Sequence, residues 1–307
     1  MKNLKRNTAI LLSALAISCC FTTLAACGQI STFHYDNEDQ YSIASDAVID
    51  KQIESLHVCW IEGSIKVEYH DDNNILIQEG HFSRKPNQDE TMRFWVDGTM
   101  LRIQYAKSGI KMMNNISKSL TIILPNTWKT TVETQENCFK SLDFQTISAD
   151  ITAESLATND LSIDTVSGDI QLSQMFVKDD TDIKTVSGDV DIQFSNTVLD
   201  EFSAETVSGE IEIAANQIND VEIDTVSGNV HYTAAINADC LEIEGVSSTI
   251  YLNVFNLDDV SLTYQTTSGI LLTEISYIKN DNVYKIGNGS KDYQIDTVSG
   301  NLKILEN

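Results

Sequence analysis

The chain has 307 residues, 42% of them hydrophobic and 7% aromatic, with two prolines and six cysteines. It carries 45 Asp and Glu against 20 Lys and Arg, a formal charge of −25, which excludes nucleic acid as a partner and opposes docking on an anionic membrane or wall polymer. The same charge suits cationic peptides and proteins, and it also keeps an exposed β surface soluble.

Residues 1–26 read as an export signal. Lys2, Lys5 and Arg6 form a basic start, and Ala9 to Leu24 follow as an apolar run, the layout of a secretory signal peptide. Leu24-Ala25-Ala26-Cys27-Gly28 resembles the lipobox of bacterial lipoproteins. The resemblance implies cleavage between Ala26 and Cys27 and a diacylglyceryl group on the Cys27 thiol, with the membrane as a partner through that anchor. Loss of the leader removes three bases and no acid, taking the formal charge from −25 to −28. No later segment approaches 18 consecutive apolar residues, so nothing else is expected to span a bilayer. Residues 27–50 are polar and aperiodic, and they read as a tether with little fixed structure.

From Lys51 the pattern alternates. Leu56, Val58 and Trp60, then Ile65, Val67 and Tyr69, flank Gly63 and predict strand, turn, strand. Further strands are predicted at 75–78, 93–96, 101–105 and 120–124, so residues 51–130 form an N-terminal β region that caps the remainder of the chain. No stretch has a 3.6-residue apolar period, and helices should be few.

Residues 131–307 hold a tandem repeat. It begins weakly at Thr146-Ile147-Ser148-Ala149 and becomes overt as Thr-Val-Ser-Gly ending at Gly168, Gly188, Gly209 and Gly228. Gly245-Val246-Ser247-Ser248 and Thr266-Thr267-Ser268-Gly269 continue it with degraded letters, and Thr297-Val298-Ser299-Gly300 closes it after an insertion around 276–291. A fixed period of about 20 residues is the mark of a solenoid. The fold class expected is all-β, a solenoid of stacked coils with an N-terminal β cap. In the coil of Leu161, Ile163, Val166, Ile170 and Leu172, two short strands flank one bend, and Val186, Val207 and Val226 take the place of Val166 in later coils. The recurrent Gly suggests a backbone angle that other residues tolerate poorly, with slight strain or a reshaped corner where Ser248 replaces it. Thr and Ser columns are expected to form hydrogen-bonded ladders.

Asp169, Asp189 and Glu210 follow the Gly and would stack about 5 Å apart. Calcium takes six to eight oxygen ligands, so this column is a candidate cation edge. Against that, it lapses at Thr249 and Ile270, and no Gly-Gly-x-Gly-x-Asp nonapeptide occurs. Solvated corners are the expected outcome, with no metal site and no cofactor. A Ser present in every coil is scaffold and not a nucleophile, and the five His form no metal-ligand motif. Cys59, Cys138 and Cys240 match no metal spacing and read as buried free thiols or at most one disulfide. Tyr251, Phe255, Tyr264, Tyr277, Tyr284 and Tyr293 could stack on sugar rings, but are expected to fill and cap the end of the stack.

Trp60 to Val67, the strand ending at Pro125 and the Thr-Val-Ser-Gly units together resemble the candidate-adhesin family of bacterial β-strand-repeat proteins, domain of unknown function 4097. The resemblance spans residues 51–307 and implies a solenoid-like domain at the cell envelope, with no agreed catalytic residues. The function expected is a non-enzymatic, extracytoplasmic surface lipoprotein acting as an adhesin-like binding or envelope-sensing scaffold for an envelope, host or cationic ligand. Two alternatives stand beside it, a β-helical polysaccharide-active enzyme and an acidic sensor or decoy for cationic antimicrobial peptides.

Overall fold

Alternation of apolar and polar residues sends every second side chain to one face of a strand, and in the repeat this produces a continuous dry interior. Leu161, Ile163, Ile170 and Leu172 in one coil, and Phe202, Ala204, Ile211 and Ile213 in another, are each no more than 2% exposed. The computed structural model describes residues 32–82, 84–111, 116–129, 138–195, 198–255 and 257–305. They form two compact units, one ending at Leu172 and one beginning at Ser173. Among the described residues the only helices are two short 3-10 turns, and no helix is long and apolar enough to cross a membrane. The expected signal and anchor positions, Ala26 and Cys27, lie outside the described residues.

The first unit opens with β1 (Thr32–Phe33), β2 (Ser42–Ile43) and β3 (Asp46–Ile49). Short strands therefore lie within the stretch expected to be a loose tether, and Phe33 is fully buried. Then come β4 (Ser55–His70), β5 (Ile75–His81), β6 (Arg93–Asp97), β7 (Met100–Gln104), β8 (Ile110–Lys111), β9 (Lys118–Pro125), β10 (Phe139–Glu154) and β11 (Ala157–Asp164). The predicted strand-turn-strand is one 16-residue strand, β4, bent at Gly63 (φ 111°). Its first half pairs in parallel with β7 and its second half with β9, while β10 runs parallel along its other edge. Chain order and stacking order thus differ: β4 comes first in sequence but lies between the β7–β9 coil and β10. Antiparallel strands cover the outer coil, β6 on β7 with β2 on β6, and β5 on β9 with β3 on β5.

Lys118 is the polar hub of this unit. Its ammonium is fully buried, 2.5 Å from Glu79 Oε1, donates to the Glu90 and Tyr105 carbonyls, and lies 3.9 Å from the Tyr105 ring centroid. Burial pulls it down to about 8, against the opposing pull of Glu79. Trp60 Nε1 donates to the Lys118 carbonyl at 3.1 Å.

β12 (Ile170–Val177) leads into the second unit. This unit holds β13 (Asp180–Lys184), β14 (Val190–Phe194), β15 (Val198–Thr206), β16 (Ile211–Ala215), β17 (Gln217–Thr225), β18 (Val230–Ala234), β19 (Cys240–Gly245) and β20 (Ile250–Val254). It ends with β21 (Val260–Thr266), β22 (Leu271–Thr273), β23 (Ile278–Asn280), β24 (Val283–Ile286), β25 (Lys291–Thr297) and β26 (Leu302–Leu305). Parallel pairing runs β13, β15, β17, β19 on one side and β14, β16, β18, β20 on the other. The last copy does not close the stack as its sequence position predicts. β25 inserts between β19 and β21, and β26 between β20 and β22. The 276–291 insertion supplies the return, as β24 and β23 add antiparallel strands to the outer edge of β21.

The corner follows a rule that the letters alone do not reveal. Thr165, Thr185, Thr206 and Thr225 are at most 2% exposed, while the Val after each is half-exposed and does not enter the core. The buried Thr hydroxyl accepts the Gly N–H three residues on, at 3.0, 2.9, 3.0 and 3.1 Å. Thr146 and Thr165 also make one step of the expected Thr ladder, at 2.7 Å. The Ser column makes one step of the expected ladder, Ser299 to Ser247 at 3.4 Å, and otherwise bonds to backbone. Ser208, Ser227 and Ser299 hydroxyls donate to the Val carbonyl of the neighbouring coil, at 3.4, 3.2 and 3.4 Å.

The Gly requirement is likewise one of space and not of angle, because none of the corner glycines has positive φ. A Cβ on Gly168, Gly209, Gly228, Gly269 or Gly300 would fall within 3.0 Å of a backbone carbonyl oxygen in the adjacent coil. The degraded corner obeys the same geometry by exchange. Gly245 stands in the Thr place and Ser248 in the Gly place, and a Cβ on Gly245 would meet Ser248 Oγ at 3.1 Å and Cβ at 3.2 Å. The side chain lost at one position is thus supplied from the other. Gly245→Thr alone and Ser248→Gly alone should each destabilise the chain, one by crowding and one by leaving a gap, and the double variant should recover most of the loss. Denaturant titration should give a favourable coupling of about 1–3 kcal/mol, and strictly additive losses would refute the exchange.

Candidate functional site

On β4, Leu56, Val58 and Trp60 face the core, so His57 and Cys59 face the other way. The parallel registers set Arg102, His57 and Asp143 in one row across β7, β4 and β10, and Gln104, Cys59 and Gln145 in the next. His57 Nδ1 lies 2.6 Å from Asp143 Oδ2, and His57 Nε2 lies 3.3 Å from Cys59 Sγ. A thiol, an imidazole and an orienting carboxylate are the parts of a nucleophilic site. Here the thiol is fully buried, so no substrate atom reaches it.

The segment before β2 lies over these rows. Tyr35, Tyr41 and Trp95 form an aromatic run, with centroids 4.9 Å apart for the first pair and 5.6 Å for the second. Arg102 lies 5.9 Å from the Trp95 centroid, with Nε 3.3 Å from Asp97 Oδ2. Together with His57 and Gln104 these groups line a cleft of about 330 Å³. A second cleft of about 490 Å³ shares Trp95 and is lined also by Val48, Lys51 and Phe94. Burial pushes the Tyr35 hydroxyl up to about 12. Sequence reading gives residues 51–130 as an N-terminal β region but does not assemble this site. His57 and Cys59 fall on the outward half of an ordinary alternating strand, whereas Asp143 arrives from 86 residues away through the altered stacking order.

The proposed cation edge distributes differently. The Asp169 N–H donates to Asp150 Oδ1 (3.1 Å), the Glu210 N–H donates to Asp189 Oδ1 (2.9 Å), and Glu210 Oε1 lies 2.9 Å from His231 Nε2. Asn229 and Asn301 accept the same kind of bond from Thr249 and Ile270. Side-chain oxygens in this column tie one coil to the next. Among the described residues no three His, Cys, Asp or Glu converge to hold a metal ion.

A larger acidic surface lies on the outward side of the second unit. One register row holds Asp180, Glu201, Asp220, Cys240 and Asp292, and the next holds Asp182, Ser203, Glu222, Glu242 and Gln294. Of the late aromatics, Tyr264, Tyr284 and Tyr293 are buried, Tyr251 stacks on His231 at 4.2 Å, and only Phe255 and Tyr277 are well exposed.

Of Cys59, Cys138 and Cys240, only Cys59 is buried, and Cys138 and Cys240 are exposed, contrary to the expectation of burial. The Cys240 thiol is pushed up by desolvation and then by Asp220, Asp292, Glu242 and Glu222, so its reactive thiolate is suppressed. Iodoacetamide labelling of Cys240 at pH 8 should accelerate at least about twofold between low and high salt, as screening weakens those carboxylates. Cys59 should stay unlabelled in the native chain. A salt-independent rate at Cys240 would show that the carboxylates do not govern it.

No curated protein matches the chain. Among solved structures, a candidate cell adhesion protein from Clostridium sporogenes is 14% identical over 85% of this chain and 99% of its own, with a TM-score of 0.28. A candidate adhesin from Bacteroides fragilis is 12% identical over 85% and 96%, with a TM-score of 0.41. A candidate lipid binding protein from Parabacteroides distasonis is 15% identical over 85% and 96%, with a TM-score of 0.49. The Toastrack DUF4097 family model matches residues 53–305, nearly all of the repeat and its N-terminal cap, and the chain belongs to that family.

Proposed function

We propose that the protein is a non-enzymatic, lipid-anchored binding scaffold of the bacterial cell envelope, which offers its acidic sheet to a cationic peptide or protein. The observation that carries this reading is the outward array of the second unit, where Asp180, Glu201, Asp220, Glu222 and Asp292 are exposed at sheet spacing. Carboxylates held in register on a parallel ladder repel one another, and a polycation relieves that repulsion. A polysaccharide-cleaving enzyme would instead need two carboxylates facing each other across a sugar. Neighbouring rows on one face of a sheet give no such opposition.

Oligolysine is the simplest probe. Its affinity for the full chain should fall about tenfold or more from low to physiological salt, and Glu201→Gln, Asp220→Asn and Glu222→Gln combined should weaken it comparably at low salt. Salt-independent binding, or no effect of the triple variant, would sink the electrostatic reading.

The anchor rests on the Leu24-to-Gly28 lipobox. Cells fed labelled palmitate should incorporate label into the chain, Cys27→Ala should abolish that incorporation, and the variant should leave the membrane fraction. Equal labelling of both would refute the anchor.

A further inference from the structure

We propose that the cleft between the N-terminal segment and β7 is a saccharide-binding site, which takes one pyranose ring against Trp95 and Tyr41. Three observations converge on it. The cleft volume of about 330 Å³ sits at the small end of ligand pockets, about 300–1,000 Å³, a fit for a single ring. Its walls pair aromatic faces with polar groups in planar arrays, Arg102 and Asp97 beside Trp95, which is the combination that a sugar's apolar face and hydroxyl rim require. Finally, Gln104 is 1% exposed, and its Oε1 has no hydrogen-bond partner among the described residues. The buried Tyr35 hydroxyl is in the same condition. Both residues line the cleft.

Those two atoms select the ligand class. Unsatisfied buried polar atoms cost about 1–3 kcal/mol each, so the occupant that answers them gains specificity. Gln104 Oε1 accepts and needs a donor, and the Tyr35 hydroxyl can donate or accept. Sugar hydroxyls do both, and both residues line the cleft. A quaternary ammonium ion would suit the aromatic faces, but it donates no hydrogen bond and would meet the Arg102 cation. A phosphate or carboxylate would be attracted by Arg102 and repelled by Asp36 and Asp97, which line the same cleft. A neutral ring avoids both conflicts. Because Trp95 also lines the adjoining cleft of about 490 Å³, a second ring has a place to lie, and short oligosaccharides should bind more tightly than single sugars.

Saturation-transfer NMR and tryptophan fluorescence on the full chain test this with glucose, galactose, N-acetylglucosamine and their short oligomers, and with phosphocholine and inorganic phosphate as rivals. The expected result is saturable binding of at least one saccharide, tighter for the oligomer, lost by tenfold or more in Trp95→Ala and weakened severalfold in Tyr35→Phe, with the melting temperature kept. Should Trp95→Ala not fold, Tyr41→Ala serves in its place. Absence of binding by every sugar, saccharide binding that survives both aromatic substitutions, or binding of phosphocholine or phosphate alone would overturn the proposal. Oligolysine affinity should be unchanged in Trp95→Ala, so failure here leaves the acidic-sheet reading standing, and the reverse.

Discussion

The structure depends on one close approach, in which the corner glycines Gly168, Gly209, Gly228, Gly269 and Gly300 lie where a Cβ would strike the carbonyl of the neighbouring coil. That contact fixes how near the coils can come, and the strand registers agree with it. In the second unit Val190 pairs with Ile211, Ile211 with Val230 and Val230 with Ile250, like over like. Close stacking also explains why the inner side of the corner is a Thr. A Gly N–H buried by its neighbour needs an acceptor, and the Thr hydroxyl three residues earlier supplies it. The apolar Val can then face outward, since the corner is closed by hydrogen bonds and not by hydrophobic contact.

The same contact makes sense of the order in which the last coils pack. An inner coil has neighbours on both sides, and Gly300 meets Ser248 on one and Gly269 on the other. The Thr-Val-Ser-Gly copy at 297–300 is therefore the one that sits inside. The Thr-Thr-Ser-Gly copy at 266–269, with its Gly partly exposed, takes the outer place. Covering the outer parallel strand with antiparallel β24 and β23 limits the open edge that invites pairing with other chains.

Much of this was legible in the sequence. Period and alternation gave the all-β coils, the strands near 56, 75, 93, 101 and 120 and the repeat corners. What was not legible depends on pairings between distant residues. Chain order cannot tell that β4 lies between β7 and β10, so the rows joining Arg102, His57 and Asp143 stay hidden. The run from Thr32 to Ile49 looks like a tether because its apolar residues are too few to show a period. Phe33 is buried all the same, through two residues of pairing with β8. The corner misled in a similar way, since a buried Thr beside an outward Val reverses the usual reading of hydrophobic pattern.

Repetition and function are divided accordingly within the chain. A position repeated in every coil is committed to the contact with its neighbour, and variation there must be compensated, as Gly245 and Ser248 compensate each other. Outward positions between corners carry no such duty and are free to collect one kind of charge. The non-repeating cap is free in another sense. Its strands pair in mixed directions and cover the outer side of β4 incompletely, which leaves a cleft bordered by Trp95 and floored by Gln104. A polar floor of that kind is a poor device for stability, because an apolar residue would satisfy the same packing without an unmet acceptor. Its presence is best understood as a concession to a ligand.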